Sequence, residues 1–129
     1  MTKFVFQINY KCVPGNSVAV VGSVPELGEW EHGRKMNWNV SNIWRIEIDI
    51  QHLPFEYKYQ IVDESGKILI WEATQNRNFY TNSSNDQIRS LTINDTWEQP
   101  SNQFVEINVC FLFVLFKFLC SFENSFGCD

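Results

Sequence analysis

The sequence predicts an all-β protein: an antiparallel, immunoglobulin-like β-sandwich of seven or eight strands, followed by an atypical apolar C-terminal tail. Three observations carry this. Apolar residues recur at every second position through the first hundred residues, whereas a helix would repeat them every third and fourth. Clusters of Pro, Gly, Asn and Ser interrupt them at short intervals, and such clusters supply turns. The chain has 129 residues, room for one domain of the usual size of about 100–150 residues.

The elements follow in order. Phe4, Phe6, Ile8 and Tyr10 alternate with Val5, Gln7 and Asn9, the pattern of a strand with one face on a core. Val13-Pro14-Gly15-Asn16 is a turn, and residues 18–21 form a second strand. Trp44, Ile46, Ile48 and Ile50 alternate with Arg45, Glu47, Asp49 and Gln51, the cleanest half-buried strand in the chain. Phe55, Tyr57, Tyr59 and Ile61 alternate with Glu56, Lys58 and Gln60, so Lys58 is expected to point away from the core. Residues 68–71 and 88–93 supply further strands, preceded by turns at Glu64-Ser65-Gly66-Lys67 and Asn82-Ser83-Ser84-Asn85. Trp97 is expected to close the last of them. Pro100 lacks the N–H that a central strand requires, which divides the chain into a domain over residues 1–99 and a Phe/Cys-rich tail over 100–129.

The composition divides at the same place. Aromatic residues make up 16% of the chain, but seven of the eleven Phe lie from Phe104 onward, while every Trp and Tyr lies before residue 100. The net charge is −5. An acidic body argues against nucleic acid or an anionic membrane as partner, since both need a basic face. Within residues 104–122 the apolar run Val109–Phe116 is eight residues, interrupted by Lys117 and resumed by Phe118-Leu119-Cys120, and is short for a membrane span of about 20 residues; an extra edge strand, an amphipathic appendage or a non-native extension such as a read-through segment suits it better. Cys12 is alone in the body and cannot form a bridge there. The N-terminus carries no leader-like apolar stretch, so the expectation is a cytoplasmic protein with a reduced thiol.

Catalytic chemistry finds little support. Glu26, Glu29 and Glu31 form the one dense acidic cluster, and a solvated loop explains them better than the opposed carboxylates of a glycosidase. His32 and His52 have no matching acid or nucleophile motif. No zinc-type cysteine spacing and no phosphate loop is present, so neither metal nor cofactor is expected.

The tryptophans carry the remaining signal. Trp44 is in phase with a core strand and Trp97 also reads as structural. Trp30 lies in a loop after Pro25-Glu26-Leu27-Gly28-Glu29, and Trp71 ends a short apolar run before Glu72-Ala73-Thr74-Gln75-Asn76-Arg77. An indole in a loop exposes a large apolar area, which a flat ligand would cover. A sugar ring fits, because its C–H face lies on the indole while its hydroxyls seek polar partners such as Lys58 and Asn76.

At this point four segments resemble a known family. Val20-Val21-Gly22-Ser23-Val24-Pro25-Glu26-Leu27-Gly28-Glu29-Trp30, Phe55-Glu56-Tyr57-Lys58-Tyr59, Trp71-Glu72 with Asn76-Arg77, and Thr96-Trp97 are similar to the starch-binding domain, carbohydrate-binding module family 20. The resemblance covers the body and none of the tail. It implies an open antiparallel sandwich and non-catalytic binding of α-1,4-glucans: starch, glycogen, maltooligosaccharides or cyclodextrin. The first site of the family maps onto Trp30, Trp71, Lys58 and Asn76. The tyrosine of its second site falls at Pro14 here, which leaves Trp38 and Tyr10 as the candidate second site. Two rivals accompany this reading. The chain could be the glucan-targeting segment of a truncated phosphatase, dikinase or amylase, or a glycogen receptor tethered to a membrane through residues 104–122.

Overall fold

The computed structural model describes residues 2–80 and 88–109. Among these residues ten strands follow one another: β1 (Thr2–Asn9), β2 (Ser17–Gly22), β3 (Arg34–Lys35), β4 (Asn37–Asn39), β5 (Ile43–Ile50), β6 (Phe55–Val62), β7 (Ile68–Trp71), β8 (Arg77–Phe79), β9 (Ile88–Thr96) and β10 (Gln99–Val109). One sheet has the order β10-β9-β1-β5-β4 and the other β3-β2-β6-β7, with β8 also paired to β6. The count exceeds eight because β3, β4 and β8 are fragments of two or three residues and because β10 extends the first sheet.

The alternation seen in the sequence is the inner face of this sandwich. Phe4, Phe6, Ile8, Trp44, Ile48, Ile50, Phe55, Tyr57, Tyr59 and Ile61 are all buried in one core. Phe79 from β8 meets Phe4 edge-on at 5.1 Å and stacks on Phe55 at 5.5 Å, while Phe6 meets Tyr57 at 5.3 Å. Such ring contacts contribute about 0.5–1.5 kcal/mol beyond their buried area. They lock the facing sheets in register.

Two features depart from the expected pattern. The sandwich is not antiparallel throughout, for β1 runs parallel to β9, Lys3 opposite Ser90 through Asn9 opposite Thr96. Residues 10–87 separate these strands, more than the crossover a parallel pair demands. The boundary placed at residue 100 falls inside β10. Pro100 is accommodated because the pairing with β9 shifts between Gln99 and Phe104, and in that irregular stretch of an edge strand its missing N–H breaks no ladder bond. Trp97 therefore stands in the turn between β9 and β10 rather than at the end of the last strand. Of the apolar segment 104–122, residues 104–109 belong to this edge strand and the remainder lies outside the described residues. No helix among the described residues is long and apolar enough to cross a membrane.

Candidate functional site

The outer face of the second sheet gathers Trp71, Lys58 and Asn76 among the residues singled out in the sequence. Residues opposite each other in an antiparallel pair share a face, as do residues two apart along a strand. Trp71 lies opposite Gln60, Lys58 is two residues before Gln60 and opposite Val21, and Glu56 is two residues further and opposite Asn78. Trp71, Lys58 and Glu56 thus project from one surface, away from the core. Trp71 is 42% exposed and Lys58 is half-buried. Asn76 joins them by donating from Nδ2 to Glu56 Oε1 at 2.9 Å.

Trp30 stands half-buried in the loop after β2, which folds back over the outer face at Gly33. Gly22 permits the loop to leave the strand, because a Cβ there would lie 2.4 Å from the Glu56 carbonyl oxygen and 2.7 Å from Leu27 Cδ1. Leu27 is fully buried and anchors the turn. The chain then reverses through Glu29 and Trp30, both left-handed at φ 48° and 67°, a conformation uncommon outside glycine. The Gly28 carbonyl accepts from the Glu31 N–H at 2.9 Å and secures the reversal. Gly33 closes the loop onto the sheet, where a Cβ would meet Gln60 Oε1 at 2.7 Å. This cover explains why Gln60, on the outer face, is only 2% exposed.

Glu26 pins the loop from its far side. Its carboxylate accepts the Gln51 N–H at 2.9 Å and lies 2.9 Å from His52 Nδ1, while its carbonyl accepts from Arg34 NH1 at 2.9 Å. Burial works against its ionisation, yet these hydrogen bonds outweigh burial and hold the carboxyl below its ordinary value. The densest acidic residues of the sequence are therefore one structural staple, Glu26, and two exposed side chains, Glu29 and Glu31.

Beneath Trp71 and Asn76 lies a buried polar cluster. Glu72 is 1% and Arg77 3% exposed; Arg77 Nε donates to Glu72 Oε1 at 3.1 Å and NH2 donates to Glu72 Oε2. Glu72 also accepts the Glu98 N–H at 2.8 Å. Asp95 on β9 accepts from the hydroxyls of both Tyr57 and Tyr59 at 2.7 Å and from Gln103 Nε2 at 2.9 Å. Arg77 NH1 faces Asp95 Oδ1 at 3.2 Å as an ion pair outside hydrogen-bond geometry. Burial and the Asp95 charge push both tyrosine hydroxyls well above their ordinary pKa, so they remain donors. Burial disfavours the Arg77 charge, but Glu72 and Asp95 outweigh it and raise the guanidinium pKa.

A buried ion pair is weak evidence for net stability but strong evidence for geometry, since its partners tolerate one arrangement. Here it ties the loop 72–77 to both sheets. Trp71 and Asn76 flank that tie and point outward.

The second candidate group sits elsewhere. Tyr10 donates its N–H to the Asn42 carbonyl at 3.0 Å, and Trp38 Nε1 lies 3.5 Å from Asn42 Oδ1, the outer limit of a hydrogen bond. Asn42 therefore brings the two residues together. The Tyr10 ring is occupied by Trp97, its centroid 4.5 Å away, and its carbonyl accepts from Trp44 Nε1 at 2.9 Å. Trp38 is 55% exposed.

This architecture matches known proteins. The family model for the starch binding domain matches residues 1–91. The chain belongs to that family. The starch-binding domain is 33% identical over 88 residues to glucoamylase-1 of Schizophyllum commune and 30% identical over 90 residues to glucoamylase-1 of Arthroderma benhamiae. These matches take in 66% and 64% of the chain, but it spans only 14% of the length of either curated relative. Among solved structures, a family 15 glucoamylase from Hypocrea jecorina superimposes with a TM-score of 0.67 at 20% identity, over 76% of this chain and 17% of that one. The family 20 module of the maltotetraose-forming amylase from Pseudomonas saccharophila superimposes with a TM-score of 0.56 at 19% identity, over 73% of this chain and all of that one. Both share its fold.

What sequence reasoning missed in this domain is the support. Glu72 and Arg77 both stand in the motif that resembles the family, but their pairing and the partnership with Asp95 depend on β9 lying across the gap between sheets. The alternation marks Glu56 only as an outward strand residue. Its bond to Asn76 needs the pairing of β6 with β8.

Proposed function

We propose that the outer face of the second sheet retains starch without chemical turnover, with Trp30 and Trp71 as stacking surfaces and Lys58 and Asn76 as hydroxyl partners. The observation that carries this is the placement of a half-exposed indole beside a lysine and an asparagine on a surface fixed from below by a buried ion pair. A glucosyl C–H face against an indole resembles a base on an aromatic side chain, where each stacked ring contributes about 1–3 kcal/mol. Glycogen, maltooligosaccharides and cyclodextrin present the same α-linked faces and are proposed as ligands of the same site. Trp38 and Tyr10 form the second, smaller contact.

Retention on insoluble starch, with cellulose as control, tests the assignment. The wild-type chain is expected to bind starch and not cellulose, and the Trp30→Ala/Trp71→Ala variant to bind neither. If the double variant is retained as well as wild type, the site is misplaced. A second reading is favoured by the relatives, in which the matched segment is a small part of a glucoamylase: the domain serves a larger enzyme by holding it on its polymer. On that reading the domain itself is not an enzyme.

A further inference from the structure

Beyond Asn76 burial alternates through β8 and on to Tyr80, a stretch that the four-residue site does not use. Arg77 is buried, Asn78 exposed, Phe79 packed on the core and Tyr80 exposed. Asn76, Asn78 and Tyr80 consequently point to the same side. At the strand rise of about 3.3 Å per residue the row extends roughly 13 Å from Asn76. Between this row and the start of β10 lies an open groove of about 410 Å³, lined by Asn76, Asn78, Tyr80, Pro100 and Gln103 among others. That volume is within the range of small-molecule sites, about 300–1,000 Å³.

The chemistry of the lining is specific. It carries side-chain amides, one phenol ring and no free charge, for the Arg77 guanidinium at its floor is paired inward with Glu72 and Asp95. Such a surface suits a neutral polyhydroxyl ligand better than a phosphate or a carboxylate. Tyr80 is 70% exposed and offers a ring face. Gln103 is held in place because its Nε2 donates to the Tyr57 hydroxyl and to Asp95 Oδ1, each at 2.9 Å. The groove therefore shares Asn76 with the tryptophan face and shares its foundation too. Pro100 and Gln103 lie beyond the residues matched by the family model, which end at 91.

We infer that this groove is an additional glucan subsite, in which Tyr80 stacks on a glucosyl residue further along a chain already seated at Trp30 and Trp71. The inference rests on the starch-binding reading and extends it from a two-ring platform to an elongated site selective for longer linear chains. β10 is then part of the binding surface as well as of the sheet.

Titration calorimetry of the full chain with maltotriose, maltoheptaose and β-cyclodextrin tests it. Tyr80→Ala is expected to weaken maltoheptaose about fivefold, the low end for one stacked ring, and to leave maltotriose and β-cyclodextrin unchanged, since neither extends beyond the platform. Tyr80→Phe, which keeps the ring face, is expected to bind all three as wild type does. An equal loss on all three ligands, or no loss on maltoheptaose, overturns the subsite while the platform stands. A wild-type chain that binds none of the three overturns the starch-binding reading and this inference together.

Discussion

Trp71 and Trp38 are exposed to similar degrees, 42% and 55%, yet they rest on different foundations. Trp71 is followed directly by Glu72, whose buried carboxylate is bonded to Arg77 and to the Glu98 N–H. Through Arg77 and Asp95 that position is tied to β6, β9 and β10. Trp38 sits on a three-residue edge strand, and its indole N–H has one long contact, to an asparagine in a left-handed turn. A stacking surface contributes most when the protein has already fixed it, because less side-chain and loop entropy is lost on binding. The first face meets that condition and the second meets it less well.

The comparison breaks most visibly at Arg77. Arg77→Met removes the cation between two buried carboxylates, and leaving such charges uncompensated costs about 3–5 kcal/mol. Chemical denaturation is expected to show a loss of that order, with starch retention falling as loop 72–77 loosens. A loss below about 1 kcal/mol, the usual scale of exposed ion pairs, would show that the cluster does not support the face.

Next in size is removal of the rings. Trp71→Ala and Trp30→Ala are each expected to weaken maltooligosaccharide binding by about 5-fold to 100-fold, following the 1–3 kcal/mol of one stacked ring. The far-ultraviolet circular dichroism of Trp71→Ala should match wild type, because its indole packs on solvent as much as on protein. A variant that unfolds together with losing affinity would assign Trp71 to stability instead.

Much of this face was legible before any coordinates, and the reasons are local. Period-two alternation placed Phe55, Tyr57 and Tyr59 inward and Lys58 outward because a strand has no other way to arrange them. Trp30 and Trp71 stood out because no alternation accounted for them. The buried cluster was illegible, since Glu72, Arg77 and Asp95 are charged residues that read as solvated until the tertiary fold encloses them. Pro100 misled for a related reason: it forbids a central strand, but β10 is an edge strand with an irregular start. Tyr80, beside the Asn- and Ser-rich stretch of the sequence at 82–85, gave no sign of sharing a side with Asn76 until the pairing of β8 with β6 set the register.

A smaller effect is expected at the second group. Trp38→Ala should reduce retention on granular starch by less than about fivefold, below the yield of a preorganised stacked ring, and leave maltotriose binding unchanged. A loss as large as that of Trp71→Ala would place the principal contact on the first sheet. It would also reverse the argument that foundation governs affinity.

The smallest effect concerns Glu26, which separates the two ways of fixing a tryptophan within the first face itself. Trp71 is held by buried charges, whereas the Trp30 loop is held by a carboxylate near the surface, bonded to the Gln51 N–H and beside His52. The Glu26 carboxyl lies below its ordinary value in the folded protein. A carboxyl depressed by folding contributes stability above its unfolded pKa, and the contribution is lost as pH falls through the folded one. The window therefore opens below about pH 4, near the ordinary range of glutamate. Wild-type affinity should decline there while the fold persists, as the loop carrying Trp30 is released. Glu26→Gln should bind about twofold more weakly at neutral pH, within the range of one exposed charged hydrogen bond, and should show a flatter acid limb. Parallel acid limbs in the two proteins would mean that Trp30 is positioned by Leu27 and the Gly28 turn alone.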